Sequence, residues 1–195
     1  MEESMTNTIR LNKYIKCDGF SIKRIYPKKQ PKLLEELTAL YIKNKEHLFY
    51  WHGGNVEFDF KKPDDYASYL SNYNCMGYVI LISGKIIGFI GITRISKRYT
   101  WLKGRYITYW IDKDHARQGI MYKALSALEE SMRLSNTEYL KANVYVDNKA
   151  SIGLLEKLNF KRIVSFNFFV NESSTIGKDT MADIEYKKSL KRQVA

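Results

Sequence analysis

The stretch "YWIDKDHARQGIMYKALSALEESMRL", residues Tyr109 to Leu134, decides how this chain is read. It begins in apolar alternation, crosses a short charged turn, and ends in an apolar stripe at helical spacing. Ile120, Met121, Ala124, Leu125, Leu128 and Met132 form that stripe. A strand therefore hands over to a helix at a turn with one glycine, Gly119, beside Arg117 and Gln118. The first turn of a helix offers unpaired N–H groups and a partial positive charge, which suit a diphosphate. Gly119 lets the backbone approach a ligand closely, and Arg117 can add a charge-assisted contact. An ordinary strand-to-helix turn has the same outline, so the rest of the chain must decide.

Upstream, "RYITYWID" alternates Ile107, Tyr109 and Ile111 against Tyr106, Thr108 and Trp110, which reads as a strand. Before it, "YVILI" and "KIIGFIGITRI" are two apolar runs separated by Ser83-Gly84, a hairpin signal. "PKLLEELTALYIKN" and "KPDDYASYLSNY" read as helices that open on prolines, and "FSIKRIYP" reads as the first strand. Residues 1–18 read as a loosely ordered lead-in. Downstream, "YLKANVYV" (Tyr139–Val146) reads as a strand. "DNKASIGLLEKLNF" reads as a helix opened by Asp147 or Asn148 and closed at Asn159. "KRIVSFNFFV" and "MADIEYKKSL" read as final strands. About seven strands and four helices result, in one domain spanning 19–190. The strand–helix–strand unit around the opening stretch demands a parallel crossover and the hairpins are antiparallel, so the fold class is α/β with a mixed sheet.

The 195 residues suffice for one domain with a real core, and 45% hydrophobic with 14% aromatic content argues against disorder. A formal net charge of +11 favours a polyanionic partner such as a phosphorylated cosubstrate, nucleic acid or a ribonucleoprotein. A lysine-rich solvated surface explains the charge equally well. No long basic run marks a dedicated nucleic-acid arm, so sequence-specific nucleic-acid binding is not expected. Two distant cysteines, Cys17 and Cys75, suit a reducing compartment, and the apolar runs are too short to cross a bilayer. The N-terminus lacks the pattern of a secretory signal, so a cytoplasmic location without membrane contact is expected. His47, His52 and His115 lack metal-ligand spacing, and no metal is expected.

A second motif lies at Asn148-Lys149-Ala150-Ser151, followed by Glu156-Lys157-Leu158-Asn159-Phe160. Together with "YWIDKDHARQGIMYKAL" and the order of elements, it resembles the GNAT superfamily of acyl-CoA-dependent N-acetyltransferases. Within it, the chain resembles the RimJ/RimL branch, which acetylates ribosomal-protein N-termini. The resemblance covers roughly Phe20 to Leu190. It implies the GNAT fold, a mixed and mainly antiparallel sheet, and acetyl-CoA as cosubstrate. It implies that diphosphate meets the turn and first helical residues Arg117, Gln118, Gly119, Ile120, Met121 and Tyr122. The family's turn reads Gln/Arg-x-x-Gly-x-Gly/Ala; here Ala116, Gly119 and Met121 stand at those positions, with Arg117 next to the first.

The resemblance further implies that the strand before this turn separates from its neighbour and offers the backbone of Trp110 and Ile111 to pantetheine. It places the Asn148 amide on the pantetheine arm or a nearby backbone, and the Ser151 hydroxyl near the thioester sulfur as a donor to the departing thiolate. Asp147, Asn148 and Ser151 also serve as plain helix caps. Relatives carry a Glu before Ile-Gly-Tyr-Trp; here Tyr106 and Thr108 replace the acid and the glycine. Tyr106, with an ordinary pKa near 10, acts as a base only beside a cation such as Arg105. Water relay to Glu57, Asp59 or Asp183, or a purely packed Tyr106, are the alternatives. Lys157 and Lys161 read as surface lysines, with a place near the adenosine phosphate as the alternative. The loop "FYWHGGNVEFDF" (Phe49–Phe60) is the expected acceptor wall, with Trp51 and His52 facing substrate or Trp51 anchoring the loop.

The expectation is an acetyl-CoA-dependent N-acetyltransferase acting directly on a primary amine, a ribosomal-protein-type N-terminus first. A small-molecule amine (antibiotic, polyamine or amino acid) is the alternative acceptor. From another class, a catalytically degenerate protein binding CoA or a ribonucleoprotein fits the missing Glu and the charge. A homodimer is one assembly the resemblance allows.

Overall fold

The structure, a computed structural model, describes residues 11–51, 60–95, 103–134, 137–163 and 183–190. Two short strands, β1 (Tyr14–Lys16) and β2 (Ser21–Arg24), open the chain. Helices α1 (Pro31–Lys43), α2 (Lys45–Trp51) and α3 (Pro63–Asn72) follow, then β3 (Met76–Ile82), β4 (Lys85–Arg94) and β5 (Gly104–Ile111). The remainder is α4 (Ile120–Leu134), β6 (Tyr139–Tyr145), α5 (Lys149–Lys157), β7 (Lys161–Ile163) and β8 (Asp183–Ser189). One eight-stranded sheet runs β1-β2-β3-β4-β5-β6-β8-β7. Every neighbouring pair is antiparallel except β5 and β6, which the crossover helix α4 joins in parallel.

Two readings of the sequence are corrected at the edges. Tyr14–Lys16, inside the expected lead-in, form β1 and pair with Ser21–Lys23. The expected acceptor loop begins within α2, which follows α1 after the single residue Asn44. Of the last expected strands, the structure describes Lys161–Ile163 and Asp183–Ser189, and residues 164–182 lie outside the described set.

Local chemistry accounts for the turns. Ser83 and Gly84 both adopt positive φ (47° and 80°), the pairing that a tight two-residue hairpin needs. Asn159 closes α5 at φ 64°, as its tolerance of the left-handed region allows. The Asp65 carboxylate accepts the backbone N–H of Lys61 (2.8 Å) and Lys62 (2.9 Å), fixing the start of α3.

The sheet buries both faces. Against one, α4 and α5 pack the expected stripe, all of it buried, on Ile90, Ile92, Ile107 and Leu140. Against the other, α1 and α3 enclose an aromatic nest of Tyr41, Phe60, Tyr66, Phe89 and Trp110. Phe60 stacks on Tyr66 at 3.8 Å between centroids, and Trp110 meets Tyr41 edge-on at 6.0 Å. Alternation along β5 therefore sends Trp110 to the α1/α3 side and Ile107, Tyr109 and Ile111 to the α4/α5 side. Cys17 is half-buried and Cys75 buried, and both are free. No helix among the described residues is long and apolar enough to cross a membrane.

Candidate active site

The parallel ladder between β5 and β6 stops early. It contains only Gly104↔Tyr139, Arg105↔Leu140 and Tyr106↔Lys141. Yet β5 stays paired with β4 through Ile111, and β6 stays paired with β8 through Tyr145. The two central strands thus part after Tyr106, leaving the facing edges of residues 107–111 and 142–145 without a strand partner in this sheet. A register shift in the β3–β4 pairing leaves Ile87 as an extra residue beside the far end of β5, next to Gly88↔Ile111, where a bulge increases local twist. Unpaired strand edges are templates for an amide-bearing ligand lying along them.

The start of α4 closes one end of this opening. Arg117 and Gly119 both hold positive φ (60° and 73°), so the chain reverses sharply before the helix. Lys123 N–H donates the first helical bond to Gly119 O at 3.1 Å. The N–H groups of Ile120, Met121 and Tyr122 precede that bond and point out of the helix end. A Cβ on Gly119 would meet nothing within 4 Å, so the space above the turn is open. Ile120 and Met121 bury their side chains in the core and present only backbone here. Arg117 and Gln118 are exposed, and the Gln118 side-chain amide donates to Asp114 O (3.2 Å). Lys157 holds its ammonium 4.7 Å from the Tyr122 ring centroid and so flanks the same turn.

A buried carboxylate braces the turn from below. Asp112 accepts from Lys43 Nζ (3.2 Å) and from Asp114 N–H (3.4 Å), while Asn44 Oδ1 accepts Lys113 N–H at 3.0 Å. Asp112 N–H in turn donates to Ile87 O at 2.8 Å. The end of α1 is thus stitched to the segment entering the Arg117–Gly119 turn, a link no local pattern announces. Burial pushes the Asp112 carboxyl up, but Asn44, Lys43 and the Asp114 N–H together outweigh it and hold it below its ordinary value. A depressed carboxyl contributes stability above the unfolded pKa, near 4, and loses it as pH falls through the lower folded value. Asp112→Asn is therefore expected to cost about 1–2 kcal/mol at neutral pH. The deficit relative to wild type should shrink below about pH 4. Denaturant melts at both pH values check this; a gap of equal size at each would mean that packing, not charge, was lost.

Helix α5 supplies the other wall. Asn148 is its N-cap, and its Oδ1 accepts the Ser151 N–H at 3.0 Å. The cap and the binding role are compatible, since the Asn148 amide keeps its own N–H donors. The Ser151 hydroxyl lies 2.6 Å from the Tyr109 phenol, a partner that sequence reasoning missed because the two sit 42 positions apart.

Tyr106 needs correction as a base. Arg105, its sequence neighbour, points to the opposite face by strand alternation and is not among the groups acting on Tyr106. Its phenol is instead pushed up, first by burial and then by Glu185. Glu185 pairs with Lys141 at 2.5 Å, and Lys141 Nζ sits 5.8 Å from the Tyr106 ring centroid. The acid facing Tyr106 is therefore Glu185, two residues beyond Asp183 on the same strand. His52, Glu57 and Asp59 lie outside the described residues, as do the side chains of Trp51 and Asp183. Among the described residues no group of three or more His, Cys, Asp or Glu could hold a metal ion.

A sheet that opens between two parallel strands, with a helix N-terminus at the mouth, defines an acyl-CoA-dependent transferase fold. Residues 33–160 match the acetyltransferase (GNAT) family, and the chain belongs to it. An N-alpha-acetyltransferase of Saccharolobus solfataricus is 28% identical over 114 residues, covering 52% of this chain and 68% of that protein. The ribosomal-protein-S5-alanine acetyltransferase of Vibrio fischeri superposes with a TM-score of 0.71 at 17% identity, over 92% of this chain and 97% of that one. A ribosomal L7/L12 alpha-N-protein acetyltransferase, RimL, solved with coenzyme A, superposes with a TM-score of 0.70 at 18% identity, over 89% and 95%. The chain is thus a GNAT acetyltransferase, with the fold shared by RimJ/RimL ribosomal-protein acetyltransferases.

Proposed function

We propose that this protein transfers acetyl from acetyl-CoA directly to a primary amine, and that the amine is a protein N-terminus of the ribosomal-protein type. The observation that carries the reading is the early end of the β5–β6 ladder beside the start of α4. The diphosphate sits on the N–H groups from Gln118 to Tyr122, with Arg117 as a charged flank. Pantetheine lies along the free edge of Trp110 and Ile111, with the Asn148 amide donating to it. The thioester then straddles the sheet: Ser151 faces the sulfur from the α5 side, and Tyr106 faces the amine's approach from the α1/α3 side. An acceptor-wall role for Trp51 and His52 rests on the family resemblance alone, since the Trp51 side chain and His52 lie outside the described residues. Attack forms the N–C bond and breaks C–S, with the electron pair passing to sulfur. The amine's proton leaves through water toward Glu185, since Tyr106 is held as a neutral phenol.

The acceptor reading is supported by the names of the three relatives described above, an N-alpha-acetyltransferase and two ribosomal-protein acetyltransferases. The test is turnover. The protein is incubated with acetyl-CoA and a panel of N-terminal peptides, N-blocked peptides and small amines, and free thiol is followed. Release with free peptides and not with blocked ones is expected. Faster release with small amines would move the acceptor to a small molecule. Coenzyme A binding without release on any amine would leave a binding protein.

A further inference from the structure

We propose that Tyr109 is a positioning residue for this reaction: its phenol holds the Ser151 hydroxyl with the serine proton aimed at the departing thiolate. The inference rests on the acetyl-transfer reading and adds a residue to it.

Tyr109 projects from β5 on the α5 side, past the point where the β5–β6 ladder ends. Its oxygen lies 2.6 Å from Ser151 Oγ. The Ser151 backbone is pinned by its N–H bond to Asn148 Oδ1, so only the side-chain torsions remain to be set. A serine in the first turn of a helix commonly spends its proton on a nearby backbone carbonyl. Here a phenol competes for its oxygen instead. The phenol is the stronger acid of the two hydroxyls, so Tyr109 O–H donates and Ser151 Oγ accepts. That leaves the serine O–H free for a third party, and the free edge of β5 is where the thioester lies.

The charge balance fits orientation rather than proton relay. Burial holds the Tyr109 phenol up at about 12, so it remains a donor throughout the working range. It is a weaker acid than an ordinary thiol near 8.5, so it does not surrender its proton to the thiolate. When C–S breaks, sulfur takes the electron pair and accepts the Ser151 O–H as a hydrogen bond. The proton that completes the thiol comes from water, and the amine's proton passes through water toward Glu185, as proposed above.

The experiment is a double-mutant cycle on the full chain with acetyl-CoA and its best acceptor. Tyr109→Phe removes one oxygen and keeps the ring. It is expected to lower kcat about tenfold with KM for acetyl-CoA and the affinity for coenzyme A unchanged. Ser151→Ala is expected to lower kcat about thirtyfold, as loss of a charge-assisted donor does. In the Ser151→Ala background, Tyr109→Phe should change kcat by less than about twofold. The same cycle with Tyr109→His, which offers an N–H donor, should show partial recovery that also vanishes without Ser151. An unchanged kcat in Tyr109→Phe, or a tenfold loss that persists without Ser151, overturns the role of Tyr109 while leaving acetyl transfer intact. An inactive wild type would instead remove the underlying reading, and this inference with it.

Discussion

Gly119→Leu is expected to weaken coenzyme A binding about a hundredfold, roughly 2.7 kcal/mol, while the apo protein still folds. Gly119 sits at φ 73°, where an L residue costs about 1–2 kcal/mol. No protein atom lies within 4 Å of the added Cβ, so the first atom of the new side chain meets no obstacle inside the fold. The side chain must then enter the open space above the turn, where the diphosphate is proposed to sit. Gly119→Ala separates the two effects, because it adds the strain with little bulk; a loss of about fivefold is expected from a partial share of that strain. Calorimetric titration and a thermal melt of each variant provide the measurement. Affinity in Gly119→Leu equal to wild type would move the diphosphate away from this turn.

Gly88→Val is expected to be the most damaging substitution for stability, about 3 kcal/mol or more. Gly88 pairs with Ile111 across the β4–β5 ladder. A Cβ there would stand 2.7 Å from Trp110 O and 3.2 Å from the Ile111 Cα. Both are backbone atoms of a paired strand, so neither can swing aside as a flexible side chain would. The strands must separate at the two residues expected to carry pantetheine, so coenzyme A affinity should fall along with stability. Gly153→Ala is the control: it lies exposed on α5 with open space at its Cβ and should be neutral or up to about 1 kcal/mol stabilising. Urea melts decide the matter, and a Gly88→Val protein as stable as wild type would mean that the ladder is looser here than drawn.

Much of the architecture is legible where a pattern is long enough to repeat. The α4 stripe, the Ser83-Gly84 hairpin and the left-handed Asn159 are each set by residues close in sequence. β1 and α2 are not. β1 is three residues with one half-buried apolar side chain, Ile15, too short to display alternation, and it is held by pairing with β2. α2 is seven residues placed directly after α1, where the same apolar residues read equally well as a loop. In the candidate site, the Arg117–Gly119 turn and the Asn148 cap are local and readable. Tyr109, Glu185 and Asn44 are not, because each acquires its partner through tertiary contacts between distant segments. The Arg105–Tyr106 relation is different: strand alternation alone places those neighbours on opposite faces, and the sequence already forbids that pairing.

The three-pair junction between β5 and β6 has a consequence for handling the protein. Because so little hydrogen bonding ties one half of the sheet to the other, a bound thioester arm would serve as a missing rung as well as a reactant. The melting temperature should then climb with dissolved coenzyme, each tenfold increase above the dissociation constant adding about 1.4 kcal/mol. Amides along both lips of the cleft should exchange with solvent rapidly until that rung is in place.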